Sequence, residues 1–174
     1  MNELFPLIKN NDSIKKAWLD YLYYEMGKQK HNFHICSLFK TIEGDSKSSK
    51  WKKYLEVVAP LGSKEHWRLK YYNQRQILPN EIVLDLEEKE TLQDTINKLE
   101  NLGVIFYVFD TNSRGYHIHI FFDRKLSRKR KAIVIQEFNA DLGKCADKTL
   151  IAMAFSNHWK SGKLKELVYH NKEV

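Results

Sequence analysis

Cysteine, proline and glycine are all scarce in this 174-residue chain, which holds two, three and seven of them respectively. Cys36 and Cys145 stand far apart in sequence and support neither a disulfide framework nor a paired-cysteine zinc or redox motif, and both are expected to be ordinary buried thiols. The few prolines and glycines are scattered, so there is no Pro/Gly-rich linker, and no internal repeat is visible. No apolar run approaches the ~20 residues needed to span a bilayer, and the stretch from Met1 to Asn10 lacks the layout of a secretory signal. A soluble, cytoplasmic protein with no membrane partner is expected.

What remains is rich in core-forming residues: 43% are hydrophobic and 13% aromatic, too many for a disordered polyelectrolyte. The length suits one compact domain, read here as an N-terminal unit over 1–80 and a core over 81–174. Lys and Arg total 29 against 22 Asp and Glu, a net charge of +7, so a polyanion, nucleic acid first, is the expected partner.

Asp12 or Ser13 can cap a helix that carries Ile14, Trp18, Tyr21 and Leu22 at helical spacing and stops at Gly27; its aromatic residues are expected in the core. The polar, basic stretch from Gly44 to Lys53 is expected to be an exposed loop or the start of a basic element. Trp67, Arg68, Lys70, Tyr72 and Arg75 interleave rings and cations as single-strand-binding surfaces do, and are candidate nucleic-acid contacts. Ile82 to Leu86 predicts a buried strand, and a helix follows from Thr91 to Gly103 with Leu92, Ile96, Leu99 and Leu102 on one face. Residues 104–110 and 115–123 predict a hairpin. A basic stretch including Arg128, Lys129 and Arg130, further candidate nucleic-acid contacts, leads into a helix with Val134, Phe138 and Leu142 inward and Gly143 at its end. A last hairpin is predicted from 149–155 and 163–169. The order points to an α+β protein, a mostly antiparallel sheet covered by helices, with an N-terminal αβ unit.

Side chains alternate along a strand, so Asp85 and Glu87 project from the same face. Two adjacent carboxylates at the end of an apolar strand are costly to desolvate unless a cation separates them, which points to a divalent metal. The same alternation puts His117 and His119 on one face, behind Ser113, Arg114 and Gly115, where a glycine admits backbone N–H groups to a phosphate and Arg114 adds donors.

The succession Ile82-Val83-Leu84-Asp85-Leu86-Glu87, then Ser113-Arg114-Gly115-Tyr116-His117-Ile118, then Ala146-Asp147-Lys148-Thr149-Leu150 with the basic turn Asn157 to Lys163, resembles the three motifs of the archaeo-eukaryotic primase superfamily, the primases and primase-polymerases. The resemblance covers about Ile82 to Val168. It implies a sheet related to the RNA-recognition-motif fold and a template-dependent nucleotidyl transferase acting on nucleoside triphosphates with single-stranded or primed DNA or RNA. Asp85, Glu87 and Asp147 would hold two Mg²⁺ or Mn²⁺ ions, and His117 would contact the incoming nucleotide. Ser113, Arg114, His119, His158, Lys160 and Lys163 are its further candidate nucleotide contacts. The family commonly has an arginine near the nucleotide in the third motif, and here no Arg follows Arg130. Two alternatives are a single-strand endonuclease using His117-Ile118-His119 as a metal-binding pair with a tyrosine nucleophile, and a non-catalytic nucleic-acid-binding module.

Overall fold

A computed structural model describes the backbone of 34–43 and 50–60, and residues 74–112, 114–144, 149–156 and 162–171, together with Trp18, Tyr21 and Leu22. The strands are β1 (His34–Glu43), β2 (Lys50–Pro60), β3 (Gln74–Gln76), β4 (Glu81–Leu86), β5 (Ile105–Asp110), β6 (Tyr116–Phe121), β7 (Leu150–Ala152) and β8 (Glu166–His170); the helices are α1 (Leu92–Leu102) and α2 (Arg128–Glu137). Two four-stranded sheets result, in the orders β2-β1-β3-β7 and β4-β6-β5-β8. Every pairing among the described strands is antiparallel. The protein is α+β, as its sequence predicts.

In the second sheet β6 lies between β4 and β5, so these two run parallel to each other and α1 carries the chain from one to the other over the intervening strand. Alternation then divides the side chains. Ile82, Leu84, Leu86, Phe106, Val108, Ile118 and Ile120 meet Ile96, Leu99 and Ile135 of the two helices in one apolar core. Each such buried side chain contributes roughly 1.5–3 kcal/mol relative to exposure. On the opposite face Tyr107, Phe109 and Phe121 pack with Trp18, Tyr21, Leu22, Met153 and Phe155. The Trp18 ring meets Tyr107 and Phe109 edge-on, with centroids 5.3 and 5.1 Å away. Trp18 and Tyr21 are helical and buried, as expected of the aromatics of the first predicted helix, and so is Leu22; the rest of that helix lies outside the described residues.

Helix α1 ends where expected, at Gly103, whose φ of 67° is the left-handed conformation of a helix C-cap. Leu102, assigned to its inner face, is instead 65% exposed. Two successive three-residue steps from Ile96 turn about 120° away from the stripe. Helix α2 also ends sooner than predicted, because Asn139 takes a φ of 53°. Leu142 therefore falls in a separate helical turn and is 42% exposed, while Lys131 and Ile135 form the buried positions of α2. The last hairpin is not formed: β7 pairs with β3 and β8 with β5. Phe155 and Lys165 N–H donate to Lys165 and Ser156 carbonyls, at 2.8 and 3.2 Å, and tie the two segments together. Of the two readings of the stretch from Gly44 to Lys53, Lys50 to Lys53 fit the start of a basic element, since they begin β2, while 44–49 lie outside the described residues.

Candidate active site

Asp85 and His117 are direct partners in the β4–β6 register. His117 Nε2 lies 3.6 Å from Asp85 Oδ1, and their side chains are 12% and 21% exposed. Both open on a cavity of about 190 Å³ that also receives Glu87 from beyond β4, Thr111 and Arg114 from the β5–β6 turn, Ser156 after β7 and Lys165 before β8. Four separate chain segments thus converge at one end of the sheet.

The turn between β5 and β6 is held by Thr111, whose Oγ1 donates to the Gly115 carbonyl at 2.9 Å, and by Asn112 N–H on Asp110 Oδ1 at 2.7 Å. Gly115 has a φ of 65°, and a Cβ built there would stand 1.8 Å from the Leu86 carbonyl oxygen. This glycine has a structural reason of its own: it lets the turn that precedes His117 press against the backbone of Leu86 and Glu87.

Burial raises the Asp85 carboxyl above its ordinary range; Lys144 and Lys165 oppose the shift, and Asp141 and Glu87 reinforce it. A larger groove of about 620 Å³ adjoins Asp85 and Glu87 and is lined by further acids, among them Asp94, Glu137 and Asp141. Crowded, partly desolvated carboxylates of this kind are what a divalent cation relieves. Among the described residues no three His, Cys, Asp or Glu side chains converge on a metal position. Asp85 and Glu87 fit part of such a site, and Asp147, its expected third acid, lies outside the described residues.

His119 departs from its expected role as a nucleotide contact. It is fully buried, with Nδ1 2.6 Å from Glu81 Oε2 and Nε2 3.0 Å from Lys165 Nζ. Desolvation and the Lys165 charge push its pKa down to about 3, against the opposing pull of Glu81. The imidazole is neutral. The endonuclease alternative fails on the same observation: the rings of His117 and His119 are 6.4 Å apart at 74°, and His119 has both nitrogens engaged internally, so the pair presents no joint metal site. Arg75 is likewise not a nucleic-acid contact, because it is 1% exposed and binds Glu81 through both terminal nitrogens at 2.8 and 2.7 Å.

Arg114, Lys163, Arg128, Lys129 and Arg130 are exposed, the last three on the first turn of α2. The expected contacts Ser113, His158, Lys160, Trp67, Arg68, Lys70 and Tyr72 lie outside the described residues, as do the side chains of Cys36 and Cys145.

Sequence reasoning missed Lys165 and Glu81. Lys165 is buried, yet its side chain helps wall the cavity. Its Nζ donates to the Ala152 carbonyl at 2.8 Å and lies 5.3 Å from the Phe109 ring centroid. Burial and Arg75 bring its pKa well below the ordinary lysine value, against Glu81 and Asp85. Glu81 had a signal: it shares a strand face with Asp85, and a buried strand histidine calls for an acid on the neighbouring strand.

No family model matches the chain, and no curated protein matches it. Among solved structures it is similar to the polymerase domain from Mycobacterium tuberculosis Ligase D in complex with DNA, at 10% identity and a TM-score of 0.45, covering 95% of this chain and 83% of that one. The relation is one of distant fold similarity. No helix among the described residues is long and apolar enough to cross a membrane.

Proposed function

We propose that this protein is a template-dependent nucleotidyl transferase of the primase-polymerase type, joining nucleotides on single-stranded or primed nucleic acid. One observation carries the reading: Asp85 and Glu87 of the first motif, Arg114 and His117 of the second, and Lys165 all face one cavity. Paired acids facing a cation and an imidazole in one cavity suit a reaction in which a triphosphate is held and negative charge builds on a leaving pyrophosphate.

Asp85 and Glu87, with Asp147, would hold Mg²⁺ or Mn²⁺, which when bound lowers the pKa of an attacking hydroxyl and neutralises phosphate charge. Lys165 and Arg114 donate to the phosphates, whose negative charge favours the Lys165 ammonium that burial and Arg75 disfavour. His117 donates to a phosphate oxygen from a position set by its strand pairing with Asp85. Lys165 thereby fills the place of the third-motif arginine that the sequence lacks. The exposed cations of α2 offer the template backbone a sequence-independent contact.

Incubation with labelled nucleotides, Mg²⁺ or Mn²⁺, and a primed or single-stranded template tests the reading. Polymer is expected from the wild type and none from Asp85→Ala. A protein that binds the template but forms no polymer under either metal would be a non-catalytic binding module.

A further inference from the structure

Glu81, His119 and Lys165 form a continuous chain from the sealed interior to the cavity wall. Glu81 is fully buried; its Oε1 accepts from Leu78 N–H at 3.0 Å, and both its oxygens accept from Arg75. Because Glu81 already accepts from Leu78 N–H and from both terminal nitrogens of Arg75, it is the ionised acceptor, so the proton in its 2.6 Å contact with His119 sits on Nδ1, and Arg75 Nη2, 3.2 Å from that nitrogen, donates to Glu81 and not to the ring. That leaves a lone pair on Nε2, aimed at Lys165 Nζ 3.0 Å away.

We propose that Glu81 and His119 are positioning residues: Glu81 fixes the tautomer of His119, and the His119 Nε2 lone pair, with the Ala152 carbonyl, holds the Lys165 amine at the cavity wall facing Asp85 and His117. That Lys165 then meets a triphosphate rests on the function proposed above. Lysine has a flexible stem and strongly hydrated head, and loses much rotamer freedom when fixed. Acceptors that organise Nζ before the ligand arrives remove that cost from binding. The low pKa of His119 agrees with the arrangement, since a protonated imidazole would have no lone pair to offer.

Two substitutions separate the halves of the chain. His119→Asn keeps a polar group at the δ position for Glu81 and removes the one that reaches Lys165; His119→Gln places an amide oxygen near the ε position. Binding of a nucleoside triphosphate with Mg²⁺ is measured by calorimetry for the wild type, both variants, Lys165→Met and the His119→Asn/Lys165→Met double variant. Lys165→Met and His119→Asn are expected to weaken binding about tenfold each, the scale of one misplaced charge-assisted hydrogen bond. The double variant should be no weaker than Lys165→Met, and His119→Gln should stay within about threefold of wild type. Binding by His119→Asn equal to wild type, or fully additive losses, overturns the positioning role while the function stands. A wild type that binds no triphosphate overturns both. Nitrogen NMR of the His119 ring provides a readout independent of ligand: protonated Nδ1 and bare Nε2 are expected, and a protonated Nε2 contradicts the chain.

Discussion

Glu81 and Asp85 stand on the same face of one strand, four residues apart, yet Glu81 is fully buried and Asp85 opens on the cavity. Both pair across β6 with the face that carries the histidines: Asp85 is opposite His117, and Glu81 bonds to His119. The sealed acid organises the interior, and the open one is available for chemistry.

Loss of either member of the buried Arg75–Glu81 pair is expected to be costly, because the survivor is left as a buried charge without its countercharge. Arg75→Met or Glu81→Gln should lower unfolding free energy by about 3–5 kcal/mol in denaturant titrations. A loss below ~1 kcal/mol would show that the pair is solvated in solution.

Stability should fall on acidification from the His119 region downward. The folded His119 pKa of about 3 lies below the ordinary 6.5, so between these values the unfolded chain takes up a proton that the folded chain refuses. Glu81 adds to this at lower pH. Burial alone would raise its pKa, but Arg75 and His119 outweigh burial and hold it well below the ordinary 4.5. Its contribution is present above 4.5 and is lost as pH falls through the folded value. Thermal unfolding across this range should show a falling acid limb, flatter between pH 6.5 and 4.5 in His119→Gln; an unchanged limb would contradict the assignment.

Gly115→Ala should be severely destabilising. The added Cβ meets the Leu86 carbonyl at 1.8 Å in a left-handed backbone conformation, so the turn must leave β4. A cost of about 3 kcal/mol or more is expected from combined strain and overlap. Near-wild-type stability would mean that the turn does not rest on Leu86.

Asp85→Asn should not destabilise the protein at neutral pH, because the raised Asp85 pKa marks an ionised form that folding disfavours. Folding favours its protonated form, so the ionised carboxylate weakens the fold as pH rises through the folded pKa. Mn²⁺ at ten times its dissociation constant should stabilise the wild type by about 1.4 kcal/mol and leave Asp85→Asn unmoved. Equal stabilisation of both would place the ion elsewhere.

The β4–α1–β5–β6 unit was legible because alternation in Ile82 to Leu86 and Tyr116 to Phe121, and the stop at Gly103, are local signals. Alternation gave the face of Asp85 and the face of His117, but the register that sets them opposite each other is a tertiary fact that it does not contain. What escaped was set by tertiary contact. A histidine pattern alone does not say that His117 faces a cavity while His119 is enclosed by Glu81, Arg75 and Lys165. Nor does the alternation of Lys163 and Lys165 reveal which one turns inward, since that depends on where Phe155 and Ser156 anchor the backbone. The apparent final hairpin was misread because β3 and the open edge of β5, both distant in sequence, compete for its two strands.

Crystals grown with Mn²⁺ and a nucleoside triphosphate, examined by anomalous scattering, test the site most directly. Manganese is expected in coordination range of both Asp85 and Glu87, with the triphosphate against His117 and Lys165. Manganese bound instead among Asp94, Glu137 and Asp141, with no triphosphate beside His117, would contradict the proposed site.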